Sequence, residues 1–156
     1  MPFFTRFSVL LLIAKCSALS SPCSRFQTGD FVTEPVQYSS ILGLLEIRLE
    51  YKAGRGPDGS MQFCYLTQDG KQSPTLLVWP GDRLRLTLTN FVDASAYTGP
   101  GEAAAAMANF GTNIHFHGMA VSPQPGQDFA VTVIVPGQTF TYELDIPPDH
   151  PLGLHW

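Results

Sequence analysis

"PGDRLRLTLTN", residues 80–90, is the stretch whose reading decides the fold class. Leu84, Leu86 and Leu88 alternate with Arg83, Arg85, Thr87 and Thr89. Successive side chains of a strand point to opposite faces, so a period of two describes a strand with one apolar and one polar face. Pro80, Gly81 and Asp82 make the tight turn that starts it. The rhythm recurs in "LLEIRLEY" (44–51), where Leu45, Ile47, Leu49 and Tyr51 alternate with Glu46, Arg48 and Glu50. "MQFCYLT" (61–67), "TLLVW" (75–79), "NIHFHGM" (113–119), "FAVTVIV" (129–135) and "TFTYELDI" (139–146) are further short strands. Turn-forming segments separate them: "AGRGPDGS" (53–60), "QDGKQSP" (68–74), "SPQPGQD" (122–128) and "PGQ" (136–138). Short strands joined by Gly/Pro turns, with no strong long helix, predict an all-β sandwich or barrel. The rhythm breaks only in residues 91–112. There "EAAAAMA" (102–108) has good helix propensity over barely two turns, so a loop with one helical turn is expected.

Composition agrees with a packed β domain. The 156 residues are 44% hydrophobic and 14% charged, enough apolar material for one domain with a core. A net charge of −4, with no basic run, removes the electrostatic case for nucleic acid. The first 20 residues read as a secretory signal: Arg6, the apolar run "FSVLLLIA" (7–14), then the small residues "SALSS". That run is too short to span a bilayer, which takes about 20 residues. A secreted protein, without a membrane segment after cleavage, is therefore expected. Cys16 lies inside the signal, leaving Cys23 and Cys64; an oxidising compartment would allow them to pair, and two free thiols are the alternative.

His115 and His117 are the candidate metal ligands. On a strand, residues i and i+2 share a face, so the two imidazoles stand side by side while Phe116 points the other way. Imidazole ligates copper, zinc, iron and nickel, and two parallel rings make half a site. Gly118 lets backbone or a metal-bound group approach closely. Taken alone, the triplet is a weak signal, better matched by two half-exposed histidines on a polar strand face.

The ordered set "SPTLLVWPGDRLRLTLTN", "TNIHFHGMAVSP" and "VPGQTFTYELDIPPDHPLGLHW" resembles the first cupredoxin (plastocyanin-like) domain of the multicopper oxidases, the laccase-like family. The resemblance covers roughly residues 40–156. It implies an all-β Greek-key cupredoxin-like sandwich or barrel over 43–156, after an N-terminal extension at 21–42. It implies copper as cofactor, with His115 on the type 2 ion and His117 on the type 3 pair. Dioxygen and a small reducing substrate are the partners implied for a full-length protein. His150 and His155 fall outside the family's ligand pattern, whose second His-x-His pair would follow Trp156. The domain therefore reads as truncated, with two of the cluster's eight histidines and no cysteine placed for a type 1 site. Such a fragment is not expected to be an active oxidase. A stand-alone module that binds copper weakly, or a degenerate sandwich without metal, are the other readings of the same residues.

Overall fold

The structure is a computed structural model describing residues 21–97 and 110–156. The expected signal at 1–20, Cys16 and the helical turn at 102–108 lie outside the described residues. Among the described residues six strands form: β1 Gln37–Ser39, β2 Leu44–Arg55, β3 Met61–Thr67, β4 Thr75–Leu77, β5 Arg83–Asn90 and β6 Thr139–Asp145. A 3-10 turn, Ala94–Tyr97, follows β5.

β5 is central, as its unbroken alternation requires. The main sheet runs β3-β2-β5-β6, with β5 parallel to β2 and antiparallel to β6. Register places Leu45, Ile47 and Leu49 beside Leu84, Leu86 and Leu88, and sets Tyr142 and Leu144 against Leu86 and Leu84. All eight are buried and form one cluster. Each such side chain contributes about 1.5–3 kcal/mol on leaving water, so this face dominates stability. The opposite face carries the alternate residues as cross-strand pairs: Arg83 with Asp145, Arg85 with Glu143, Thr87 with Thr141 and Thr89 with Thr139. Exposed pairs of this kind are worth little individually, but they oppose a register slip that would turn leucines outward.

A second layer closes the core. β1 and β4 pair in parallel as a two-stranded sheet, and Tyr38, Leu76 and Val78 pack onto the leucine face. Beside them Ile114, Phe116, Met119 and Val121 cover the remainder. The fold is thus an all-β sandwich, the expected class. The turn into β5 is built as expected: Gly81 adopts φ 90°, and the Asp82 carboxylate accepts the Trp79 N–H at 2.8 Å. Asn90 ends β5 fully buried, its Nδ2 donating to the Phe110 and Ile134 carbonyls and its Oδ1 accepting the Val92 N–H. A disulfide joins Cys23 to Cys64, fastening the N-terminal segment over β3, where both cysteines pack with Leu66.

Three elements differ from expectation. β2 runs on through Ala53, Gly54 and Arg55, which pair with Phe63, Gln62 and Met61, so the turn occupies only 56–60. β4 stops at Leu77, short of Trp79. Residues 113–119 and 129–135 form no strand; a bridge between Thr112 and Ile134 is their ladder-like pairing among the described residues. In 129–135 the apolar alternation does not mark a core face, because Val131 and Val133 are 71% and 61% exposed while Ile134 is buried. The reason for the missing strand at 113–119 lies in the site itself.

Candidate metal centre

The Thr112–Ile134 bridge launches the histidine segment. Thr112 N–H donates to the Ile134 carbonyl and Ile134 N–H returns the bond. The Tyr65 hydroxyl lies 2.6 Å from Thr112 Oγ1 and donates to the Asn113 carbonyl at 3.0 Å, so β3 also anchors this start. Beyond it, the backbone N–H groups find acceptors other than a neighbouring strand. Ile114 N–H donates to the Tyr142 hydroxyl at 3.0 Å, and Phe116 N–H to Asp128 Oδ1 at 3.1 Å. His117 N–H donates to the Trp156 carbonyl at 2.7 Å, and Ala120 N–H to His150 Nε2 at 2.9 Å. Satisfied in this way, the segment stays extended without a ladder partner.

The facing of the side chains nevertheless follows strand logic. Phe116 packs against the core, while His115 and His117 are exposed with ring centroids 5.0 Å apart. His115 Nδ1 lies 3.0 Å from both oxygens of Asp128, a carboxylate only 7% exposed. A carboxylate can only accept, so this contact places the His115 proton on Nδ1 and leaves Nε2 as the free lone pair. A ring nitrogen held by a carboxylate while the other faces outward is the usual way a protein orients a metal-binding imidazole. His117 is held differently, stacked on the Trp156 indole at 5.5 Å and 6° between planes.

Gly118 has φ 81°, which favours glycine, and a Cβ there would come within 3.1 Å of His155 Nδ1. Backbone or a metal-bound group was expected to come close at this glycine; it is the His155 side chain that lies there. His150 has both nitrogens engaged, Nε2 by Ala120 N–H and Nδ1 by the Pro151 carbonyl at 2.8 Å, leaving no lone pair for a metal. Among the described residues no third His, Cys, Asp or Glu joins the pair to make a three-ligand group. The donor set fits copper as two imidazole positions, one of them oriented by a buried carboxylate, and no more.

Asp128 and Tyr142 were not recognisable from sequence as part of this site. Burial pushes the Tyr142 hydroxyl above the ordinary tyrosine range, and the nearby Tyr65 and Asp128 add to this, while the bond from Ile114 N–H works against it. Tyr51, beside Tyr65 in the same aromatic group, is raised for the same first reason, with Tyr65 adding. Among the described residues no helix is long and apolar enough to cross a membrane.

No family model and no curated protein matches the sequence. Several solved structures are similar. One is a multicopper oxidase from Campylobacter jejuni, described as a metallo-oxidase, at 23% identity and a TM-score of 0.48 over 76% of this chain. A variant of the McoA multicopper oxidase from the hyperthermophile Aquifex aeolicus shows 17% identity and a TM-score of 0.47 over 74%. A laccase-like multicopper oxidase from Ochrobactrum sp. shows 18% identity and a TM-score of 0.42 over 74%. The match spans 22% of the length of each of these three oxidases.

Proposed function

We propose that this chain is the copper-binding N-terminal domain of a secreted multicopper oxidase, with His115 and His117 as ligands. The observation that carries the reading is the His115–Asp128 contact: a buried carboxylate engages Nδ1 of one exposed imidazole, leaving its Nε2 for a metal, beside a second exposed imidazole.

Bound copper supplies one-electron chemistry toward dioxygen, with the electrons drawn from a small reducing substrate. The chain's own residues do the positioning. Asp128 holds the His115 tautomer, Trp156 holds the plane of His117, and Phe116 anchors both to the core. In this reading His115 serves the type 2 ion and His117 the type 3 pair. Two imidazoles make a weak site by themselves, so the remaining ligands come from outside the described residues. The same count supports a second reading, a module that binds copper weakly without oxidase activity.

The test is a copper(II) titration followed by calorimetry, comparing the wild type with the His115→Ala/His117→Ala double variant. Uptake by the wild type that the double variant loses supports the proposal. Equal uptake by both would remove this pair from any metal role.

A further inference from the structure

The segment after β6, "PPDHPLGLHW" (147–156), has three prolines without an amide hydrogen, at 147, 148 and 151, and cannot lay down a regular ladder beside its neighbour. Other contacts fasten it to residues 117–120. His150, 7% exposed, accepts the Ala120 N–H at Nε2, and the proton this leaves on Nδ1 is donated to the Pro151 carbonyl. The His155 ring packs edge-on against His150, centroids 5.0 Å apart, and sits over the open face of Gly118. At the far end the Trp156 carbonyl accepts the His117 N–H, while the indole stacks on the His117 ring. His117 is therefore gripped directly by Trp156, and the turn that leaves it is tied down by His150.

We propose that His150 is a positioning residue for His117. Its imidazole takes the place of the missing ladder partner, accepting from Ala120 across the gap while its other nitrogen is held by the Pro151 carbonyl of its own segment, and so locks the left-handed turn at Gly118 and the seat of the His117 ring. The inference rests on the reading of His117 as a copper ligand, and it extends the site to a histidine with no nitrogen left for metal. A pre-placed ring loses less freedom when it binds, so the effect appears as affinity. Loosening a hydrogen-bonded support of a metal ligand typically weakens binding 10–100-fold; acting one step removed, His150 should contribute about tenfold.

Three measurements on the full chain decide it. In the metal-free wild type, a nitrogen–nitrogen scalar coupling across the Ala120–His150 hydrogen bond should be visible by NMR. His150→Phe keeps a ring but can neither accept nor donate; it should shift the His117 ring resonances and weaken copper(II) binding about tenfold. His150→Gln, which offers an acceptor and a donor, should restore most of both. An absent coupling in the wild type overturns the proposal, as does a folded His150→Phe with unchanged His117 resonances. If His150→Phe fails to fold, the wild-type coupling and the His117 resonances of His150→Gln decide in its place. If the wild type takes up no copper, the functional reading fails, while the coupling and ring shifts still settle the role of His150.

Discussion

Replacing Asp128 by alanine removes one carboxylate with two jobs. It accepts the Phe116 N–H at 3.1 Å and holds His115 Nδ1 at 3.0 Å. The Phe116 amide is partly buried, so losing its acceptor costs about 1–3 kcal/mol. The His115 side chain is 41% exposed, so water replaces most of what that contact contributes, and it adds below about 1 kcal/mol. The fold should lose about 1–4 kcal/mol, lowering Tm by about 2–4 °C for each kcal/mol. Copper affinity should fall separately, by about 10–100-fold, because His115 is then free to turn and to move its proton to Nε2. Asp128→Asn separates the two effects: its carbonyl oxygen can still accept both bonds, so stability should stay near wild type and affinity should fall less than in the alanine variant. Thermal unfolding of the metal-free protein and a competitive copper(II) titration read the two quantities independently. An alanine variant that melts measurably lower yet binds copper as tightly as wild type would refute the orienting role.

Other expectations follow from the same structure. Reducing the Cys23–Cys64 disulfide, or Cys64→Ala, frees a loop of sequence separation 41 and should cost about 4 kcal/mol in denaturant unfolding, while an unchanged midpoint would contradict it. Asn90→Ala removes bonds to Phe110, Ile134 and Val92 from a fully buried position and should cost about 2–4 kcal/mol in the same assay. Tyr51 and Tyr142 hold their protons above the ordinary tyrosine range, so the unfolded chain gives them up first. Their contribution is complete below about pH 10 and is lost as pH rises through the raised folded values. Ultraviolet titration should therefore show two of the five tyrosines ionising late or together with unfolding; all five ionising alike would contradict this. Tyr142→Phe should abolish one late step and strand the Ile114 N–H, at about 1–3 kcal/mol.

β5 and its neighbours were legible in the sequence because alternation is a local signal: Leu84, Leu86 and Leu88 define a face, and the partner strands must match it. Gly54 misled because glycine commonly ends a strand. Here it continues one, and a Cβ would come within 2.5 Å of Ser21 Oγ, so the glycine admits the N-terminal segment that the disulfide fastens. The site was half legible. His115 and His117 announce themselves by spacing, and their common face survives the loss of the expected strand. The acceptors that replace a ladder do not: Asp128, Tyr142, His150 and Trp156 reach the segment from 12 to 39 residues away or by chain reversal, and no local period encodes such meetings. The outward Val131 and Val133 show the converse error, an apolar alternation that reports no buried face.

The most direct test of the account is electron paramagnetic resonance of copper(II) bound to the chain, with the histidines isotopically labelled at both ring nitrogens. Hyperfine coupling to labelled imidazole nitrogen, diminished in His115→Ala and again in His117→Ala, is the predicted result. A spectrum without imidazole coupling, or one that neither substitution changes, would contradict the assignment of this pair as copper ligands.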